Sequence, residues 1–416
     1  MSEYEKGLTF LPQAVNSLVP VWAEINLERL RNNLTVIYNH LKPGTRIMAV
    51  VKANAYGHGA VKIAAELEKL GVTYYAVATV DEGVEIRLAG IKGTILILEM
   101  IGLEQLDLIF QYNLTPSVYS LELAQLLVKK ANETKRKIKI HLRIDTGIGG
   151  LGIERQELKR LVGELNQAKH LELEGIYTHL TSDYREDDAS VREQMNLFRQ
   201  ILKELEDAGV KIPLVHVASS LAVFTKPEIH FNLVRTGIAL YGIPPVEGME
   251  RTGLRPVMRL KSRVLCLKKL KANDYIGTYH EKYTAAETMN YAIVPIGYAD
   301  AFFLITTQKG TVLIRGKRAP IIGRARMNQI LVDVTMIPET VLGDEVVVLG
   351  EQGKQEISAQ TATVAAGITA VNCESVCLLS SRIPRIYYHE NDIDYDGFDP
   401  VKLIGILIFW AEAVRA

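Results

Sequence analysis

Between about residues 45 and 245 the chain alternates short β-rich runs with amphipathic helical stretches, and this alternation limits the fold more than any other feature. The strand candidates are Arg46–Lys52, Tyr74–Thr79, Gly93–Glu99, Thr115–Val118, Lys137–Ile144, Leu171–Thr178, Pro213–Val217 and Phe231–Val234. Most are near-continuous Val, Ile, Leu and Tyr, as in strands buried on both faces. Between them, Ile63, Leu67 and Leu70 recur at helical spacing, and Val191, Met195, Phe198 and Leu205 share one helical face. Eight such units predict a closed parallel (β/α)8 barrel, although alternation alone also allows an open doubly wound sheet.

Pro244, Pro245, Gly248 and Gly253 then punctuate the chain, and the pattern changes. Runs such as Arg259–Leu267, Tyr291–Ile296, Val312–Arg315, Gln329–Val334 and Glu345–Leu349 alternate with turns, which predicts a mostly antiparallel β domain. The expected domains are an N-terminal extension at 1–20, the barrel at 21–245, the β domain at 255–388 and a C-terminal tail at 389–416. The 48 basic and 48 acidic side chains balance, which argues against a polyanion binder. No apolar run reaches the roughly 20 residues that span a bilayer, and the acidic N-terminus lacks the core of a secretory signal. Three cysteines make no disulfide framework and fit a reducing cytosol, so the expectation is a cytoplasmic protein with no nucleic-acid or membrane partner.

The segment Val51-Lys52-Ala53-Asn54-Ala55-Tyr56-Gly57-His58-Gly59 carries the clearest chemistry. A lysine closing a hydrophobic strand sits, in a barrel, where barrel enzymes place catalytic groups. Neutral lysine amines are the nucleophiles of imine chemistry, and a strand-end lysine snorkelling to solvent is the alternative. The glycines allow close backbone approach to a ligand, and the Tyr56 hydroxyl suits a phosphate.

V-K-A-N-A-Y-G-H-G resembles the pyridoxal-phosphate lysine motif of the alanine racemase family. Three more segments match in order: His216-Val217-Ala218-Ser219-Ser220, Arg235-Thr236-Gly237-Ile238-Ala239-Leu240-Tyr241-Gly242 and Ile296-Gly297-Tyr298-Ala299-Asp300. The resemblance runs from about Trp22 to Arg385. It implies pyridoxal 5'-phosphate as cofactor, and a homodimer with shared active sites that racemises a small amino acid. It implies Lys52 as imine partner and base on one face of Cα, with Tyr279 of the partner subunit as base on the other. His179 and Arg235 match the residues that supply positive neighbours to that phenol, a poor base unaided. Arg235 also bonds the pyridine nitrogen and keeps it unprotonated. Cofactor contacts fall to Tyr56, His216, Ser220 and the backbone of Gly237 and Ile238. Without the resemblance, His179 reads as a core histidine, Tyr279 as a strand-end aromatic and Ser220 as a helix cap.

Gly147-Ile148-Gly149-Gly150-Leu151-Gly152 also satisfies the dinucleotide pattern G-x-G-x-x-G. It follows the fifth strand, however, and Asp145-Thr146-Gly147 matches the racemase family's D-T-G loop.

Departures from the family cluster around the substrate. Arg143 replaces a lysine that is commonly carbamylated, and Gly150 replaces the arginine that steadies the substrate carboxylate. Arg326, beside the backbone N–H of Met327, is the sequence candidate for the missing cation, or else a solvated surface arginine. Tyr298 is assigned to the substrate side. Cys373 stands where the family has a pocket tyrosine; the smaller side chain predicts room for serine or larger substrates beside alanine. Cys373→Tyr should then narrow the range of amino acids racemised, and an unchanged range would count against the enlarged pocket. Other outcomes open to the sequence are a decarboxylase or aldolase on the same fold, and a cofactor-binding homologue with weak or no turnover.

Overall fold

The computed structural model describes residues 20–181, 189–246, 248–249, 252–278, 281–305, 310–360, 373–389 and 392–394. The chain divides into two compact units, one of Arg29–Arg255 and Val371–Cys373, the other of Met1–Glu28, Pro256–Ala370 and Glu374–Ala416. Strand β1 (Val21–Asn26) leads into helix α1 (Leu27–His40).

In the first unit, eight parallel strands close on themselves. They are β2 (Arg46–Val50), β3 (Tyr74–Val77), β4 (Thr94–Ile97), β5 (Thr115–Val118), β6 (Ile138–Arg143), β7 (Leu171–Tyr177), β8 (Leu214–His216) and β9 (Leu233–Thr236). Pairing of β9 with β2 completes the barrel, so the open doubly wound sheet is excluded. The intervening helices include α2 (Ala60–Lys69), α3 (Val80–Leu88), α4 (Leu106–Gln111), α5 (Leu121–Thr134), α6 (Arg155–Gln167), α7 (Ala189–Asp207) and α8 (Ser220–Thr225). Helix α2 buries Ile63 and Leu67, and α7 buries Val191, Met195, Phe198 and Leu205, the apolar stripes expected from their spacing. Met48, Val50, Leu96, Tyr177 and Leu233 pack inside the barrel. Near-full burial of strands such as β3 and β4 explains their lack of polar alternation.

The second unit is built on an 11-stranded, mostly antiparallel sheet. Its strands include β10 (Met258–Arg263), β11 (Cys266–Leu270), β14 (Met289–Val294), β15 (Thr311–Ile314), β16 (Lys317–Ile322), β17 (Ile330–Asp333), β18 (Glu345–Gln352), β19 (Gln355–Ile357) and β20 (Arg385–His389). Strands β12 (Tyr275–Thr278) and β13 (Glu281–Thr284) form a separate hairpin. Two local expectations change. The run Arg259–Leu267 is two strands, because β10 pairs with β1 and β18 whereas β11 pairs with β14. The handover falls at Val264 and Leu265, whose N–H groups donate to Asp344 O (2.9 Å) and Ile293 O (3.0 Å). Strand β1, counted with the barrel from sequence, instead lies between β10 and β20 in this sheet, antiparallel to one and parallel to the other.

Candidate active site

Lys52 follows β2, and the backbone after it takes an unusual course. Ala53, Asn54, Ala55 and Tyr56 have φ of 51°, 54°, 53° and 53°, a left-handed turn made without glycine. Such a conformation costs an L-residue roughly 1–2 kcal/mol, so the surroundings must impose it. The Glu82 carboxylate accepts N–H groups from Ala53 (2.6 Å) and Ala78 (2.7 Å) while forming a capping box with Thr79 at the start of α3. On the other side, Asn54 Oδ1 accepts the Ala60 N–H (2.8 Å) at the start of α2. Two helix starts therefore grip the turn that carries Lys52.

Lys52 lines a cavity of about 370 Å³, together with Tyr56, His179, Ser220, Arg235 and Cys373. Lys52, His179 and Ser220 come from segments that follow the C-terminal ends of barrel strands, Arg235 from within β9, Tyr56 from the left-handed turn and Cys373 from the separate stretch of the unit. Glu99 and Arg143 also line the cavity. The Glu99 carboxylate lies 3.7 Å from Lys52 Nζ through one oxygen and 3.7 Å from Arg143 Nη1 through the other. Arg143 Nη1 donates to Leu98 O at 2.7 Å.

Arg235 is buried and held from several directions. Nη1 donates to His216 Nδ1 (2.9 Å) and His216 O (2.9 Å), and Nη2 donates to Thr178 O (2.8 Å) and Val217 O (3.1 Å). Because an arginine only donates, His216 Nδ1 must accept, which places the His216 proton on Nε2. That N–H donates to His141 Nδ1 (2.8 Å), and His141 Nε2–H donates to Glu174 Oε2 (3.2 Å). Lys139 Nζ donates to the other Glu174 oxygen (2.6 Å). One proton polarity thus runs from Arg235 through two neutral histidines to a carboxylate. The packing makes room for it: β6 and β7 shift register between Ile140 and His141, and a Cβ on Gly175 would meet the His141 ring at 2.5 Å. Tyr177 stacks on His216 at 4.7 Å and lies 4.9 Å from the Arg235 guanidinium carbon.

Burial, with the Arg235 charge, holds His216 well below the ordinary histidine value, and burial also lowers His141 against the pull of Glu174. His179 is solvent-exposed where it opens onto the cavity, yet protein crowds it closely enough to desolvate the ring. That desolvation, with Arg235, Arg143 and Lys52, pushes it down to about 4. His179 is therefore neutral at neutral pH. Of the two positive neighbours expected for the second base, only Arg235 carries charge.

A pH dependence of stability follows. His141 and His216 titrate below the unfolded value near ~6.5, so the unfolded chain takes up protons first as pH falls. Their contribution is complete above that pH and is lost below it, by roughly 1.4 kcal/mol per pH unit per histidine. The urea midpoint should hold steady from pH 8 to 7 and drop between pH 6.5 and 5. A midpoint unchanged at pH 5 would contradict neutral burial of the pair.

Tyr56 and Ser220 form a second focus. A Cβ on Gly237 would meet the Tyr56 hydroxyl at 2.5 Å, so only glycine admits the phenol there. Ser220 Oγ accepts N–H groups from Gly237 (3.0 Å) and Ala239 (3.3 Å). The Ile238 N–H has no partner among the described residues. His216 stands behind Arg235 rather than on the cavity wall. Tyr298, Arg326 and Met327 belong to the second unit, where the Tyr298 N–H donates to Arg326 O (3.0 Å). Tyr279 lies outside the described residues. The glycine-rich loop is no phosphate cradle: Asp145 Oδ1 takes the N–H groups of Gly147 (2.9 Å), Ile148 (3.1 Å) and Gly149 (3.3 Å). Sequence reasoning passed over Glu82, Glu99, His141 and Glu174. Polar residues inside apolar strands, as in I-K-I-H-L-R, were the available signal for the last two.

A charged cavity at the C-terminal mouth of a (β/α)8 barrel, in a chain that adds an antiparallel sheet unit, defines a two-part barrel enzyme with a small-molecule site. Residues 25–245 match the family model "Alanine racemase, N-terminal domain", and residues 257–387 match "Alanine racemase, C-terminal domain". An alanine racemase of Halothermothrix orenii is 38% identical over 369 residues, covering 88% of this chain and 97% of the relative. One of Methanococcus maripaludis is 38% identical over 373 residues, covering 89% and 99%. The solved alanine racemase of Clostridium difficile 630 has a TM-score of 0.84 at 36% identity, covering 90% of this chain and 97% of that one. The chain belongs to the alanine racemase family. Among the described residues no helix is long and apolar enough to cross a membrane.

Proposed function

We propose that this protein racemises alanine with pyridoxal 5'-phosphate, and that Lys52 carries the proton on one face of Cα. The observation that carries this reading is the imposed left-handed turn, which presents Lys52 and Tyr56 to the cavity that Arg235 also lines. The cofactor fits the residues present. Glycine at 237 leaves the space a Cβ would fill beside the Tyr56 hydroxyl, and the Ile238 N–H is unpartnered among the described residues. Tyr56, Ser220 and that amide would hold the phosphate, Lys52 would hold the carbonyl end and Arg235 would face the ring nitrogen. When bound, the cofactor would stabilise the carbanion left by loss of the α-proton.

The chain's own residues do the rest. Lys52 Nζ takes or returns the α-proton, and Tyr279 Oη, supplied by the partner subunit of a homodimer, does so on the opposite face. Arg235 is fixed by carbonyls and by His216, so it offers a donor of invariant direction and cannot protonate the ring nitrogen. His179 contributes a neutral imidazole, and Arg235 supplies the charge that favours phenolate. Cys373 on the cavity wall supports a range wider than alanine, with serine the nearest addition. Chiral separation of the products formed from L-alanine by the cofactor-loaded protein tests the reading. A racemic product supports it; L-alanine recovered unchanged removes it.

A further inference from the structure

An amino acid entering the cavity brings a carboxylate, and a carboxylate without a cationic partner in a partly dry pocket is costly. Four described residues on the cavity wall carry positive charge or can acquire it: Lys52, Arg143, His179 and Arg235. Under the proposed function Lys52 is the proton-transfer amine. Arg235 spends Nη1 and Nη2 on His216, Thr178 and Val217. His179 is neutral. Arg143 is different. Its Nη1 donates to Leu98 O and lies 3.7 Å from Glu99, while Nη2 and Nε have no partner among the described residues. Its side chain is only 14% exposed, so an ion meeting it there is largely stripped of water.

We propose that Arg143 binds the carboxylate of the amino-acid substrate, with Glu99 as the counter-ion it loosens to do so. The Glu99 contact is long and is shared with Lys52. A substrate carboxylate in direct hydrogen-bonded contact with the guanidinium makes a shorter pair, and the planar fork allows a bidentate one. The backbone under Arg143 is fixed: β6 pairs with β7 at Arg143 and Tyr177, and the Ile153 N–H donates to Arg143 O at 2.8 Å. Position 143 thereby answers for the arginine that position 150 lacks, from within the barrel unit and without Arg326.

This inference rests on the racemase reading, and its test separates the two. The cofactor-loaded protein would be titrated with propionate by calorimetry, and KM and kcat for L-alanine measured in parallel. Arg143→Gln should weaken propionate binding and raise KM by roughly 10- to 100-fold, the loss of a charge-assisted hydrogen-bonded pair, with a smaller effect on kcat. Arg143→Lys keeps the charge without the fork and should fall between, which guards against a folding artefact. Glu99→Gln removes the competing carboxylate and should leave propionate binding unchanged or tighter. Propionate affinity and KM unaltered by Arg143→Gln would overturn the proposal while leaving the racemase reading intact. So would a KM rise confined to Arg326→Ala, or a loss on Glu99→Gln equal to that of Arg143→Gln. A wild-type protein that binds propionate through Arg143 but racemises nothing would keep the carboxylate site and remove the racemase reading.

Discussion

Lys52→Ala is expected to lower the racemisation rate by at least about 10³-fold while leaving the fold nearly as stable as before. The two halves of this result have separate causes. Lys52 is the only lysine among the described residues on the cavity wall, so no neighbouring amine replaces it. Among the described residues its only ion pair is the 3.7 Å contact with Glu99, in which both side chains are substantially exposed. Loss of such a pair costs at most about 1 kcal/mol. The left-handed turn is held through the backbone of Ala53 and the side chain of Asn54, neither of which the substitution touches. Urea denaturation would therefore show a small shift, and chiral assay a near-complete loss. Added methylamine should restore part of the activity if the missing group is the amine. Borohydride treatment of the wild-type loaded protein, followed by peptide mass analysis, should find the cofactor on the Lys52 peptide. Wild-type-like turnover by Lys52→Ala would contradict the assignment.

Arg235→Leu should have the opposite balance, with a large structural cost as well as a catalytic one. The substitution leaves His216 Nδ1 and the carbonyls of His216, Thr178 and Val217 without their donor inside a buried layer. Removing one member of a buried charged network costs about 3–5 kcal/mol. Arg235 also presses His179 and His216 toward neutrality, so both should become easier to protonate in the variant. Arg235→Lys keeps the charge but not the planar fork, and should recover part of the stability and little of the activity. Histidine nitrogen shifts by NMR, with the unfolding midpoint, check both claims. A variant as stable as wild type, with unmoved histidine shifts, would contradict the clamp described here.

Much of this architecture was legible in the sequence because burial leaves a compositional mark. Strands buried on both faces cannot alternate, so runs such as Y-Y-A-V and T-I-L-I announced barrel strands. Partner choice left no such mark. Nothing in V-W-A-E-I-N says that β1 joins the sheet of the second unit, because pairing is decided by a strand over 200 residues away. Arg259–Leu267 looked continuous for the same reason: its halves are both apolar enough to be strands, and only the change of neighbour separates them. At the site, the lysine motif pointed to Lys52 and Tyr56 and the R-T-G-I segment to Arg235, and the structure brings them to one cavity. The left-handed turn was hidden, since only Asn54 in Ala-Asn-Ala-Tyr tolerates positive φ readily and the rest of the strain is imposed by the contacts of Glu82 and Asn54. His141 and Glu174 were hidden as well, because their partners lie on neighbouring strands and their role is to hold His216 rather than to meet a ligand.

Exchange of the α-proton in heavy water tests the central claim most directly. The protein loaded with pyridoxal phosphate would be given L-alanine, with L-serine alongside, and deuterium content and chirality followed together. Two bases on opposite faces predict that D-alanine appears carrying solvent deuterium at Cα, and that the signal disappears in Lys52→Ala. Recovery of L-alanine with its original α-proton, from a protein shown to hold the cofactor, would contradict the account.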